Sequence, residues 1–150
     1  MPQALSVKQA YGAFAARLKE LGPAEWHALE VALERVDAAD SLGAWTDSVR
    51  LGDGSWQMAY ATLSPEANDF IGTFDAVGLQ IPFDWTSWDQ FRALAASPDQ
   101  FGEATPVESA MLLVALGRSD RFVEGELLGA FESGLIQRSV RRLLQARGNH

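Results

Sequence analysis

The sequence predicts a mainly α protein, a compact bundle of six to seven helices that leaves room for one short β-hairpin around residues 49–60. Three observations lead there. Apolar residues recur every third or fourth position through most of the chain, which is the pattern of helices with one buried face. Helix-start patterns, a hydroxyl residue followed by proline or by Glu/Gln three positions on, occur at Ser6, Ser64 and Thr105. The connectors are short, and no repeat, linker or low-complexity tract interrupts the 150 residues, so residues 1–150 read as a single helical domain.

The first helix opens at the capping box Ser6–Gln9 and carries Ala10, Phe14, Leu18 and Leu21 until Gly22-Pro23 stops it. A second runs from about Pro23 to Ala38, with Trp26, Leu29, Leu33 and Val36 as its apolar stripe and Glu25, Glu30 and Glu34 turned away. Asp40 to Gly54 is the least regular region. Gly52-Asp53-Gly54 is a turn signal between Val49-Arg50-Leu51 and Trp56–Tyr60, where Trp56, Met58 and Tyr60 alternate with smaller or polar residues. A lone hairpin is marginal in water, so this one is expected to lean on the helices.

Ser64-Pro65-Glu66 starts a third helix with Ala67, Phe70, Ile71, Phe74 and Val77 on one face and Gly78 as its C′ residue. Asp84 is placed to cap a helix on which Trp85, Trp88 and Ala95 share a face, closed by Ser97-Pro98. Thr105–Glu108 is another capping box and opens the most apolar helix, Met111 to Leu116, expected to end at Gly117. Asp120 is placed to cap the next helix, with Glu124 in its first turn and Gly125 and Gly129 on one face. Gly134 separates that helix from a last one bearing Ile136, Val140, Leu143 and Leu144.

Composition narrows the function classes. At this length about 68–70% of the unfolded chain's surface can be buried, and with 47% hydrophobic residues a full core needs no staples. The absence of cysteine removes disulfides, thiolate zinc sites and cysteine nucleophiles, and suits a reducing cytoplasm. No basic region followed by an apolar run marks a signal peptide, and no segment is apolar for long enough to span a bilayer. The expectation is a cytoplasmic protein that meets no membrane.

The net charge of −8 is uneven. Lys8, Arg17 and Lys19 give residues 1–19 a charge of +3, and Arg138, Arg141, Arg142 and Arg147 give residues 133–150 a charge of +4. All 20 acids lie in 20–132, which carries −15. Such a surface repels nucleic acid at long range. Either the basic end helices dock on the acidic middle, or the basic C-terminal stripe faces a partner.

Searches for catalytic patterns fail. There is no G-x-S-x-G elbow, P-loop, dinucleotide fingerprint or H-E-x-x-H, and His27 has no second histidine at ligand spacing. Two dense stretches remain. Arg118 to Gly134 combines Arg118, Asp120, Arg121 and Glu124 with glycines. Ion pairing and capping explain most of it, while a small polar pocket is the functional alternative. Asp84, Trp85 and Trp88 form the other stretch. Two tryptophans so close most often anchor a core, and otherwise floor a recognition groove.

Pro82-Phe83-Asp84-Trp85 with Trp88, and Asp120-Arg121-Phe122-x-Glu124-Gly125 with Leu127, Ala130, Glu132 and Gly134, together resemble a family of small prokaryotic domains of unknown function. The resemblance covers about residues 56–146 and includes the Ser64-Pro65-Glu66 helix start. Gly78-Leu79 preceded by Phe74-Asp75 departs from the resemblance, which leads one to expect a Leu-Tyr pair there, and the helix before the second motif is less charged than expected. The family brings no activity, cofactor or catalytic residue. What it implies is that the two motifs share one domain and a place to meet.

The sequence therefore favours a non-catalytic interaction or regulatory module that binds another protein, without cofactor or metal. One special case is a mobile-element-encoded inhibitor whose acids imitate nucleic acid. The alternative is a small-ligand or enzymatic pocket where Asp84, Trp85 and Trp88 meet Arg118, Asp120, Arg121 and Glu124.

Overall fold

A computed structural model gives the fold and describes residues 4–96, 104–120 and 125–147. Seven helices and four short strands follow one another as α1 (Val7–Glu20), α2 (Pro23–Ala38), β1 (Gly43–Thr46), β2 (Val49–Arg50), β3 (Trp56–Gln57), β4 (Tyr60–Leu63), α3 (Pro65–Ala76), α4 (Gln90–Ala96), α5 (Pro106–Ser119), α6 (Glu126–Glu132) and α7 (Leu135–Leu144). The fold is mainly α with one hairpin, as expected. Three starts use the anticipated chemistry: Ser6, Ser64 and Thr105 each accept the amide of the third helical residue through their hydroxyls. In α1 and α5 the Gln9 and Glu108 side chains return to the cap amide.

The centre of the molecule is α5. Every residue from Ser109 to Leu116 is buried, so this helix has no solvent face over two turns. It is surrounded by α7, α1, α6 and α4, while α2 packs on α3 and α7. Buried side chains of this size are each worth about 1.5–3 kcal/mol. The helix does not stop at Gly117, as its sequence suggested, but runs on to Ser119. A helical glycine costs roughly 0.5–1 kcal/mol, and the extra turn carries the buried Ser119, whose hydroxyl bonds Glu126 of α6. The buried hydroxyls are satisfied locally, Ser109 donating to the Thr105 carbonyl at 3.0 Å and Ser139 to the Leu135 carbonyl at 2.8 Å.

The charge asymmetry closes on itself. Arg141 and Arg147 of the C-terminal segment pair with Asp37 and Glu30 of α2. Arg17 of α1 reaches Glu25 at 2.9 Å and Glu20 at 3.4 Å, and its Nε donates to the Val77 carbonyl at 2.9 Å. One guanidinium thus fastens α1, the start of α2 and the end of α3. Basic ends docked on an acidic middle is the arrangement found.

The hairpin keeps one register from root to tip. Gly43 pairs with Leu63 and Thr46 with Tyr60, then Val49 with Gln57 and Arg50 with Trp56. Two residues on each strand separate the two ladders, so the pleat carries across the break. Gly54, with φ +89°, completes a three-residue loop in which its amide bonds the Leu51 carbonyl at 3.0 Å and the Leu51 amide bonds Ser55 at 2.7 Å. Asp53 accepts the Ser55 hydroxyl and amide, which hold its carboxyl below the usual range.

The expectation that this hairpin leans on the helices holds only at its root. Leu63 packs against the core, and Gly43 lies against Leu128 of α6. Beyond that the arm projects, with Trp56 63% and Met58 76% exposed. The ladder bonds and the tip loop hold its shape without a buried face.

Truncation separates the two kinds of apolar position. Leu112→Ala in α5 is expected to cost about 2–5 kcal/mol in urea unfolding, whereas Val31→Ala on the exposed side of α2 stays within about 0.5 kcal/mol. Equal losses would contradict α5 as the centre of the core.

Candidate functional site

The segment between α3 and α4 is built differently from its sequence pattern. Trp85–Ser87 is one turn of 3-10 helix, Trp88 is extended, and α4 begins only at Gln90. Trp85, Trp88 and Ala95 therefore do not share one helical face. An unforeseen anchor precedes this turn: Leu5 forms an isolated bridge to Phe83, with its amide on the Pro82 carbonyl at 3.3 Å and its carbonyl receiving the Asp84 amide at 2.7 Å. That tie keeps residues 82–84 extended, and Asp84 stands directly before the 3-10 turn while α4 begins only at Gln90. The Asp84 side chain, exposed, accepts the hydroxyls of Thr86 and Ser87 at 2.7 Å each. Those bonds, Ser87 first, hold its carboxyl below the usual carboxylate range.

Trp88 is a core residue, 4% exposed, edge-on to Phe83 at 5.9 Å and stacked with Phe91 at 6.4 Å. Its indole N–H lies toward the Tyr11 hydroxyl and makes no hydrogen bond of full geometry among the described residues. Tyr11 itself donates to Glu108 at 3.2 Å, and burial above all raises its pKa. Trp85 is half-buried, edge-on to Phe91 at 5.6 Å.

The second stretch is not one glycine-faced helix. Arg118 sits in the last turn of α5, and no ion pair joins it to another described residue. Arg121 and Glu124 lie outside the described residues. Gly125 is not inside a helix but stands before α6 in the left-handed conformation, φ +84°. Asp120 does cap that helix, from seven residues away, its Oδ1 accepting the Leu127 amide at 2.9 Å. The acid in the first turn is Glu126, which accepts a short hydrogen bond from the buried Ser119 hydroxyl.

The two stretches do approach each other. Trp85, Trp88, Phe91 and Arg92 on one side and Ser119 and Glu126 on the other line a cleft of about 770 Å³. Its volume is in the range of small-molecule sites. Asp84, Arg118 and Asp120 do not line it. Its aromatic wall and mixed charges suit a planar ligand with one polar end. Ser119 donates to the Glu126 carboxylate within the cleft, whereas His27 lies on α2 in a separate groove with Val31, Arg35 and Glu66. Among the described residues no group of three or more His, Asp or Glu is placed to hold a metal ion, and no helix is long and apolar enough to cross a membrane.

A surface that the motifs did not mark is larger in consequence. Seven large hydrophobic side chains are exposed among the described residues, and six of them lie between 45 and 60: Trp45, Val49, Leu51, Trp56, Met58 and Tyr60. The arm is fixed to the bundle where the Trp45 ring covers Gly125. A Cβ at Gly125 would stand 2.0 Å from that ring. This explains the Gly125 of the second motif: it needs both a positive φ and an empty place beneath a tryptophan. The alternation of Trp56, Met58 and Tyr60 was the available signal for the arm. Extending its pairing back from Gly52–Gly54 would also have placed Trp45 opposite Ala61.

The sequence matches the Family of unknown function (DUF6508) over residues 21–149, and the chain belongs to that family. The match begins at the approach to α2, well before the region around 56–146 that the two motifs suggested. No curated protein and no solved structure matches the chain.

Two substitutions test this construction by thermal unfolding. Gly125→Ala is expected to cost at least about 1–3 kcal/mol from backbone strain alone. Combining it with Trp45→Ala should recover the steric part, a non-additivity of about 0.5–3 kcal/mol. Additive losses would mean that the ring does not press on Gly125. Asp120→Ala should cost about 1 kcal/mol as a lost cap, with Asp120→Asn near neutral. Equal losses for Ala and Asn would refute the cap.

Proposed function

We propose that this protein is a non-catalytic interaction module whose contact surface is the 43–63 hairpin arm, and that its partner is another protein. One observation carries the reading: six of the seven exposed large hydrophobic side chains among the described residues sit on that one projection. Tryptophan and tyrosine are the residues that most often dominate binding energy at protein contacts. The arm carries only Asp47, Asp53 and Arg50 among its charges, in a chain of net charge −8. Depletion of charge at the centre of a contact is what distinguishes it from ordinary surface.

The narrower form, an inhibitor whose acids imitate nucleic acid, draws support only from the −15 of residues 20–132. Arg17, Arg35, Arg141 and Arg147 already neutralise some of those acids within the chain, so the arm favours an apolar contact. The second reading, a ligand pocket, is favoured by the 770 Å³ cleft beneath Trp85. A small molecule that raises the melting temperature of the native chain but not of Trp85→Ala would bring it forward.

The test is site-specific photo-crosslinking in the source cell. A crosslinker at Met58 is expected to capture a defined protein, and one at Lys19, on the exposed part of α1, is not. Identical capture from both positions, or none from Met58, would remove the arm as the contact surface.

A further inference from the structure

Resting on the arm as contact surface, we infer that its outward face docks on a second copy of this chain, forming a two-fold dimer centred on Met58. Directly paired residues in an antiparallel ladder point to the same face, and alternate residues on a strand share it. With Thr46 opposite Tyr60 and Arg50 opposite Trp56, the face holds Trp56, Met58 and Tyr60 in one row. The other face holds Trp45, which turns to Gly125 and α6. The row is therefore the side of the arm turned away from the Trp45–Gly125 contact, while Val49 and Leu51 stand exposed on the other face.

Self-recognition is favoured by the order of the row. A two-fold contact requires that residue i meet j while j meets i. Turned antiparallel on its own copy, the row sets Met58 against Met58, and Trp56 of each copy against Tyr60 of the other. Aromatic rings so paired gain beyond their buried area. Arg50, beside Trp56, falls at opposite ends of the contact in the two copies, where each guanidinium meets the Tyr60 end of the other rather than its own likeness. The short Thr46 and Ser48 flank the row, so it stands proud of the sheet.

The area suffices for a dimer of modest affinity. Trp56 is 63%, Met58 76% and Tyr60 40% exposed, which leaves on the order of 400 Å² of these side chains open. Two copies remove about twice that, and the flanking Thr46, Ser48, Arg50 and Thr62 bring the contact to about 1,000 Å², the lower bound of specific interfaces. The net charge of −8 per chain opposes association, but the arm contributes little of it, and at physiological salt charges more than about 8 Å apart are screened.

The chain has no cysteine, which gives a direct test. Under mild oxidation Met58→Cys is expected to form a disulfide-linked dimer, because the two-fold axis brings the two sulfurs together. Gln57→Cys, on the opposite face of the same strand, is expected to stay monomeric. In sedimentation equilibrium the native chain should run as a dimer at micromolar to millimolar concentration, and Met58→Asp should weaken it by about tenfold or more, with circular dichroism unchanged. A native chain that remains monomeric overturns the dimer, as does equal crosslinking from positions 57 and 58, or a dimer indifferent to Met58→Asp. If the chain is monomeric while a crosslinker at Met58 still captures a different protein, the dimer fails and the arm as contact surface stands.

Discussion

The structure depends on covering α5. A helix buried on every side from Ser109 to Leu116 has no water-facing stripe, so it is stable only when other helices surround it. The remaining helices are one-faced and supply the cover: α1 through Phe14 and Leu18, α7 through Ile136, Val140 and Leu143, α6 through Leu128 and Phe131. Each of these has a polar side, and those sides are joined by arginines. Arg17 holds α1 to α2 and α3, and Arg141 and Arg147 hold the C-terminal segment to α2. These pairs are largely exposed and contribute modestly to stability. Their effect is on which neighbours the basic ends choose.

Against that closed bundle the hairpin arm stands out because it violates the rule that organises everything else. Of the seven large apolar side chains exposed among the described residues, six lie from Trp45 to Tyr60. A fold that can bury nearly all of its apolar residues has no packing reason to expose a tryptophan and a methionine side by side. The arm's root, by contrast, is fitted closely: Trp45 over Gly125 leaves no room for a methyl group, and Gly43 leaves none beside Leu128. The protein fixes the direction of the arm while leaving its far end open, which is what a rigidly presented contact surface requires.

The match to the DUF6508 family spans both motifs. The two motifs are tied together by different means than their charges suggested. Trp88 serves the core, Asp84 is occupied by Thr86 and Ser87, and Asp120 caps α6. What the motifs share is the cleft between Trp85 and Glu126, together with the anchoring of the arm at Gly125. The second motif is thus partly a seat for the arm.

Much of this was legible from local chemistry. Ser6, Ser64 and Thr105 mark helix starts because a hydroxyl meets free amides within one turn, and Gly52–Gly54 marks the hairpin because few residues adopt its backbone. The stripe Phe70, Phe74, Val77 named a buried face because helical spacing alone places it there. Tertiary structure decided the rest. Gly117 stayed helical within α5, which runs on to Ser119, and Trp85–Ser87 formed a single 3-10 turn after a bridge that joins Phe83 to Leu5, far away in sequence. Sequence determined where the elements lie and which faces are apolar, since those follow from contacts within a few residues. Whether an apolar face is covered, as in α5, or left open, as on the arm, depends on how many elements surround it, and only the assembled fold fixes that.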